Sequence, residues 1–447
     1  MTRTIRTGLM LAAALLAMPA TARGPAVSER WLRAHEAFLA GDALAGRGSA
    51  THDEAVAAAY VAAQFQAFGL TTAPGWTSYL QTAPVIRRRA TGAPAMTVDG
   101  NPVAGLTVLR ADGGGIGGAV TTVADAAKIP AHSEVIVFTG TPEQAMRAGR
   151  ALRASGAKLV VFAESDATRR MAMATGGTLT LPMRLETSAP RPGLALASVP
   201  AATLAQLGAA KRIDLFVPYA EERTVTTNAV GYLPGTDPSL PLLLLTAHLD
   251  HLGVEPDGTV MHGANDDAAG TTAVLELARV LAGGRRPRRG ILFVAYGAEE
   301  IGGFGSRWFA AHPPVPLARI AANIEFEMVG AQDPKLPRST LMMTGAERST
   351  LFDVLKAHGA LVATDPYTEQ RFFERSDNYS LALAGVVAHT LAGWSVPPTY
   401  HQPTDTIAAL DFGYMASALG SLVAPIRSIA NGTDAPRWKP GGQPHEQ

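Results

Sequence analysis

The spacing of apolar positions changes character twice along the chain. Beyond Thr51, the residues Val56, Tyr60, Val61, Phe65 and Phe68 recur at helical intervals, and Gly69 provides a stop. Thr51-His52-Asp53-Glu54 has the S/T-x-x-E form of a capping box at the start of that helix. From about residue 84 to 217 the helical period fades. Short β-branched runs at 135–138 and 159–162 alternate with turn signals and flank an Ala/Arg-rich helical stretch. This segment predicts a small β-rich domain inserted into a larger one. From about Thr226 the pattern changes again. A continuous apolar run at 242–246 reads as a buried strand, 291–296 as another, and 320–326 and 386–390 are a third and fourth candidate. A helix from about Ala268 ends at Gly283-Gly284. Strands alternating with helices predict an α/β fold: a mostly parallel, doubly wound mixed sheet with helices on both faces.

The N-terminus follows a different logic. Arg3 and Arg6 precede an apolar run from Leu9 to Met18, and Pro19-Ala20-Thr21-Ala22 supplies an A-x-A cleavage site. That is the layout of a secretory leader, so residues 1–22 are expected to be removed and the protein exported to the periplasm or the extracellular space. Residues 23–83 then form a helical start to the main domain, 84–217 the insert, 218–430 the chemical core and 431–447, rich in Pro, Gly and polar residues, a flexible tail. No later apolar run reaches the ~18 residues of a membrane span.

Composition narrows the chemistry. Basic and acidic residues number 38 each, which disfavours a nucleic-acid binder acting through bulk charge. The chain has 0 cysteines, so disulfides, thiolate nucleophiles and Cys-bound metals are excluded. Any metal must be held by His, Asp and Glu.

Those residues fall in a telling place. His248-Leu249-Asp250 follows the first apolar strand, and Asn265-Asp266-Asp267 opens the next helix. Glu299-Glu300 follows the second strand, Glu327 the third, and Tyr400-His401 lies beyond the fourth. In a parallel sheet, functional groups gather beyond the carboxyl ends of the strands. Taken singly, each has a bland explanation: Asp266 or Asp267 as a helix cap, the two glutamates as a solvated turn, His248 as a satisfied core histidine. Taken together, they make an acidic site that needs cations. A sulfur-free N/O set suits zinc, with manganese or cobalt as substitutes; the histidines argue against calcium.

These motifs carry a resemblance. Thr246-Ala247-His248-Leu249-Asp250-His251-Leu252-Gly253, Gly263-Ala264-Asn265-Asp266-Asp267, Ala298-Glu299-Glu300, Phe326-Glu327-Met328, Ser376-Asp377-Asn378 and Tyr400-His401 resemble, in order, the segments of the co-catalytic di-zinc aminopeptidases, relatives of glutamate carboxypeptidase and the glutaminyl cyclases. The insert resembles a protease-associated domain by composition and position. The resemblance implies the zinc exopeptidase fold and two zinc ions. It implies that Asp266 bridges them, with His248 and Glu327 on one and Glu300 and His401 on the other. It makes Glu299 the general base, Asp250 the partner that orients His248, and Tyr400 a donor to the tetrahedral intermediate. The family usually has Asp where this chain has Glu327, and often His where it has Asn378. His251 and His262 are expected not to be ligands.

The expected function is hydrolysis of N-terminal residues from peptides, with peptide as the partner and neither nucleic acid nor membrane involved. A carboxypeptidase or dipeptidase on the same scaffold would need a cation for the free carboxylate, for which Arg371 and Arg375 are the candidates. A glutaminyl cyclase fits less well because the ligand set suits two metals. A non-catalytic binding protein is disfavoured because every expected ligand position is filled.

Overall fold

The computed structural model describes residues 25–174, 179–189, 193–432 and 435–445. The expected leader therefore lies outside the described residues. The main body is built on a nine-stranded sheet. Its centre consists of the strands Ile291–Tyr296, Leu242–His248, Ile320–Glu327 and Ala388–Ala392, hydrogen-bonded side by side and parallel. Antiparallel pairings flank this centre, through Tyr219–Leu233 on one side and Leu341–Met343 on the other.

Most positions of these strands are apolar because the two faces of the sheet are both covered. Leu243, Leu245, Ile291, Phe293, Ala322 and Ile324 join one core with the helices Glu29–Leu39, His52–Ala67, Ala269–Ala282 and Phe412–Asn431. The alternate residues Leu242, Leu244, Leu292 and Val294 join a second core on the opposite face, with Phe309 and Leu381. The period-2 alternation of a strand thus divides one hydrophobic run between two cores. The crossover helix Ala269–Ala282 links adjacent parallel strands, as a parallel pair requires.

The insert has its own eight-stranded sheet, also packed on both faces. Val135, Val137, Leu159 and Val161 face one core, while Ile136, Phe138, Val160 and Phe162 face another. Its lower boundary differs from the expected one. Leu80–Ala90 is a single strand of the main sheet, paired with Tyr219–Leu233 from Leu80↔Ala229 to Ala90↔Tyr219, so residue 84 lies inside a ladder. The insert's sheet begins only at Ala95–Val98 and ends with Arg212–Val217.

The C-terminal segment also departs from expectation. It is docked and not a free tail: Trp438 donates its indole N–H to the Gly385 carbonyl at 3.0 Å and packs against Phe373 and His389. One large aromatic ring outweighs the polar composition around it. Among the described residues, no helix is long and apolar enough to cross a membrane.

Because the chain enters and leaves the insert on paired strands, the insert should be removable. Joining Thr91 to Pro218 through a short Asn-Gly turn should leave a soluble protein with its metal content intact. It should melt several degrees lower, since Leu185 pairs with and covers the main sheet beside Val85 and Phe304, and burying such a side chain contributes about 1.5–3 kcal/mol. Elemental analysis and thermal denaturation check this; a folded deletion variant that no longer binds metal would contradict it.

Candidate metal centre

Parallel register decides where the acids and histidines meet. His248 lies opposite Tyr296, and Glu327 opposite Ala392, so the central strands end along one edge. The chain beyond Tyr296 delivers Glu299 and Glu300, and the chain beyond Ala392 delivers His401. Asp266 arrives from a short irregular turn, Ala264–Ala268, ahead of the crossover helix.

Two groups of ligand-capable atoms result. One contains His248, Asp266 and Glu327; the other contains His251, Asp266, Glu300 and His401; within each, the atoms lie within 4.8 Å of one another. Asp266 is common to both. His248 Nε2 stands 3.4 Å from Asp266 Oδ1, and His401 Nε2 stands 3.1 Å from both Asp266 Oδ2 and Glu300 Oε2. Five buried atoms here have no hydrogen-bond partner among the described residues: His248 Nε2, His251 Nε2, Asp266 Oδ2, Glu327 Oε2 and His401 Nε2. Buried polar atoms are rarely left so. Carboxylate oxygens and imidazole nitrogens converging from several segments fit divalent cations, and the mixed set fits zinc.

The structure also brings in a residue that the sequence reasoning set aside. His251 is fully buried and its Nδ1 lies 2.8 Å from Glu300 Oε1 and 4.0 Å from Asp266 Oδ2. His262 points elsewhere, to the exposed Asp42, and belongs to neither group. Asn378 is buried and structural: its N–H donates to Glu325 at 2.7 Å and its amide to the Phe373 carbonyl. Among the described residues, the insert supplies nothing to either group.

A second set of acids faces away from the centre and binds backbone. Asp250 accepts from the N–H of Glu299 at 3.0 Å and of Glu300 at 3.3 Å, and from Ser49 Oγ at 2.5 Å. His248 Nδ1 faces the Asp250 carbonyl oxygen at 3.2 Å and its carboxylate at 3.7 Å. Asp267 accepts from the N–H of His248, Gly270 and Met328, tying three ligand-bearing segments together. Asp405 accepts from the N–H of both Asn265 and Asp266 at 3.0 Å.

The N-terminal segment closes the site from behind. Buried Arg47 donates to the carbonyls of Leu249, His262 and Gly263, each at 2.8 Å, and so fixes both ends of the loop between His248 and Asp266. Gly46 permits this approach: its φ is +69°, and a Cβ there would collide with the Met261 and Gly253 carbonyls. Thr51 caps the His52–Ala67 helix, but Glu54 does not complete the expected box. Its carboxylate accepts instead from Ala50 N, Thr226 Oγ1, Thr227 N and Ala298 N. The sequence signals for these supports were weak: Gly46-Arg47-Gly48 marks a close approach, and Asp405 lies only four residues past His401.

The electrostatics match a centre built for cations. Burial pushes Glu299 well above the usual carboxylate range, with nearby His248 pulling the other way. Burial likewise raises Glu327 to about 7, opposed again by His248. Burial would lower His401, but Asp266 and Glu300 outweigh it and push the imidazole up to about 10. Tyr400 stacks on His401 with ring centroids 3.9 Å apart, and its hydroxyl is raised by burial and by Asp266.

Comparisons with known proteins bear on the family and the fold. Residues 228–423 match the family model described as Peptidase family M28. Aminopeptidase YwaD of Bacillus subtilis is 28% identical over 173 residues, covering 37% of this chain and 36% of that protein. Leupeptin-inactivating enzyme 1 of Streptomyces exfoliatus is 33% identical over 109 residues, covering 24% and 23% respectively. The alignments thus span about a quarter to a third of these curated relatives. The fold is shared with an aminopeptidase from an Aneurinibacillus strain, at TM-score 0.60 and 18% identity over 92% of this chain and 95% of the other. It is shared too with a zinc aminopeptidase from Bacillus subtilis, at TM-score 0.58 and 18% identity over 95% and 100%.

Metal and proton compete for the same imidazole nitrogens. Below the raised value of about 10, His401 holds a proton that must leave before a cation binds. Apparent zinc affinity should therefore rise with pH between pH 6 and 8, by up to about tenfold per pH unit for each proton displaced. Competition with a chelating dye at several pH values measures this; an affinity independent of pH would contradict it.

Proposed function

We propose, from the match of residues 228–423 to the model of Peptidase family M28, that this chain is an exported di-zinc exopeptidase that removes N-terminal residues from peptides. The observation that carries the proposal is the pair of ligand groups sharing Asp266. His248 and Glu327 complete one position, and Glu300 and His401 the other, with Asp266 between them. His251 holds Glu300 in place or joins the second position. When bound, divalent zinc supplies Lewis acidity: it polarises a carbonyl and makes water a nucleophile near neutral pH.

The protein's own groups do the proton work. Glu299 lines the same small pocket as Asp266, Glu300, Glu327 and Tyr400. It takes the proton of the attacking water and returns it to the leaving amine. Burial favours its protonated form, which suits a group that must hold a proton between attack and departure. Asp250 accepts from the N–H groups of Glu299 and Glu300, which fixes the loop that carries both side chains. Tyr400 donates to the developing oxyanion. The amine of the substrate meets Glu299 and Glu327. Glu327 is a methylene longer than the family's usual Asp, which shifts its free oxygen and narrows the residues accepted at the N-terminus.

Export is supported by the leader-like order of Arg3, Arg6, the 9–18 apolar run and Ala20-Thr21-Ala22. Cleavage there takes Arg3 and Arg6 away and leaves a formal charge of −2. The protease-associated-like insert shapes access and leaves the chemistry to the main domain.

Glu299→Gln should keep its metal yet lower kcat by about 10²–10⁴-fold, the usual general-base contribution. Glu300→Gln should lose metal. Metal analysis beside steady-state kinetics tests the pair; the reverse pattern would exchange their roles.

Zinc-loaded protein should cleave aminoacyl anilides and fail on their N-acetylated forms, because the acids that receive the ammonium would be left unpaired. Equal rates on both forms would rule out the aminopeptidase proposal, and cleavage confined to a free C-terminus would favour a carboxypeptidase.

A further inference from the structure

Glu299 lies on the boundary between two cavities. The inner one, about 50 Å³, holds the ligand groups, and the outer one, about 760 Å³, is ligand-sized. Arg375 and Ser376 also line both. The outer cavity adds Arg307, Glu374 and Asp377.

The two arginines on that outer wall are not paired with its acids. Arg371 is spoken for: it donates from Nε to Glu374 Oε1 at 3.1 Å and from Nη2 to Oε2, so Glu374 is neutralised within its own turn. Asp377 lines the cavity but is only 2% exposed and forms no ion pair with either arginine among the described residues. Arg375 and Arg307 are exposed, and among the described residues neither forms an ion pair. Their guanidinium groups rest over Phe372 at 5.0 Å and Phe304 at 5.9 Å, which holds the planar forks beside the cavity without using their N–H donors.

A peptide has opposite charges at its ends; the inner pocket is lined by Asp266, Glu299, Glu300 and Glu327, and the outer cavity adds Arg307 to the Arg375 that lines both. The ammonium is drawn to the acids of the small inner pocket. The carboxylate end is drawn outward to the arginines. Resting on the exopeptidase reading above, we propose that Arg375, with Arg307 behind it, binds a carboxylate on the leaving side of the scissile bond, so that the preferred substrates are short peptides with a free C-terminus. The residue that separates Arg375 from Arg371 in function is Glu374, which occupies only the latter.

The test uses three probes: Leu-Ala, Leu-Ala amide and Leu-Glu amide. Each is assayed for hydrolysis by the zinc-loaded full-length protein and titrated by calorimetry into zinc-loaded Glu299→Gln. Leu-Ala should exceed its amide by about tenfold or more in kcat/KM, expressed in KM, as expected for a charge-assisted pair. The same preference should appear in binding. Arg375→Gln should bring the acid-to-amide ratio close to one, Arg375→Lys should restore part of it, and Arg307→Gln should reduce it less. If Leu-Glu amide matches Leu-Ala, the carboxylate is read from a side chain as well as from the terminus, and the arginine site stands. Equal KM for acid and amide in the wild type, or a ratio that survives Arg375→Gln, overturns the proposal while leaving the peptidase reading intact. A binding preference for the acid with no hydrolysis of any probe supports the carboxylate site and removes the peptidase reading.

Discussion

Carboxylates that share a buried volume repel one another, and the architecture around Asp266 exists because cations remove that repulsion. Asp266, Glu300 and Glu327 converge with two or three imidazoles at the edge of the sheet, and several of their atoms lack any hydrogen-bond donor. Taking such charges from water without partners is among the most costly acts a fold can perform. In the metal-free protein, a proton on His401 supplies part of the offset, as its rise to about 10 indicates. The cations that replace that proton are what make the arrangement chemically useful.

The remaining acids divide from these by what they face. Asp250, Asp267, Asp405 and Glu54 point away from the centre and take backbone N–H groups. Each bond runs between segments distant in sequence: Asp267 joins the 248 and 328 backbones, and Glu54 joins residues 50, 227 and 298. A carboxylate held by several N–H donors is fixed in position, and it fixes the loop that carries the adjacent ligand. Arg47 performs the complementary task with carbonyls. The ligands are therefore held on strand ends and hydrogen-bonded loops before any cation arrives, and a pre-positioned site loses little on binding.

This also explains which features were legible in the sequence. The strands at 242–248 and 291–296 were visible because burial on both faces leaves a nearly unbroken apolar run, and the acids and histidines stood out because they follow such runs at the carboxyl end. His251 was not visible. It follows Asp250 directly, and it turns inward because its N–H bonds to the Arg47 carbonyl and Gly48 bridges to it. That contact spans some two hundred residues and leaves no trace in local spacing. The capping box misled for a similar reason: the core offered Glu54 better donors than its own helix. The boundary at residue 84 was placed where composition changes, whereas the ladder with Tyr219–Leu233 continues to Ala90. Trp438 was lost in a polar stretch, although one ring is sufficient to dock a segment.

The most direct test of the central claim is anomalous diffraction at the zinc edge from crystals of the zinc-loaded protein. The account predicts two peaks on either side of the Asp266 carboxylate, one next to His248 and Glu327 and the other next to Glu300 and His401. A single peak, or two peaks that do not share Asp266, would contradict it.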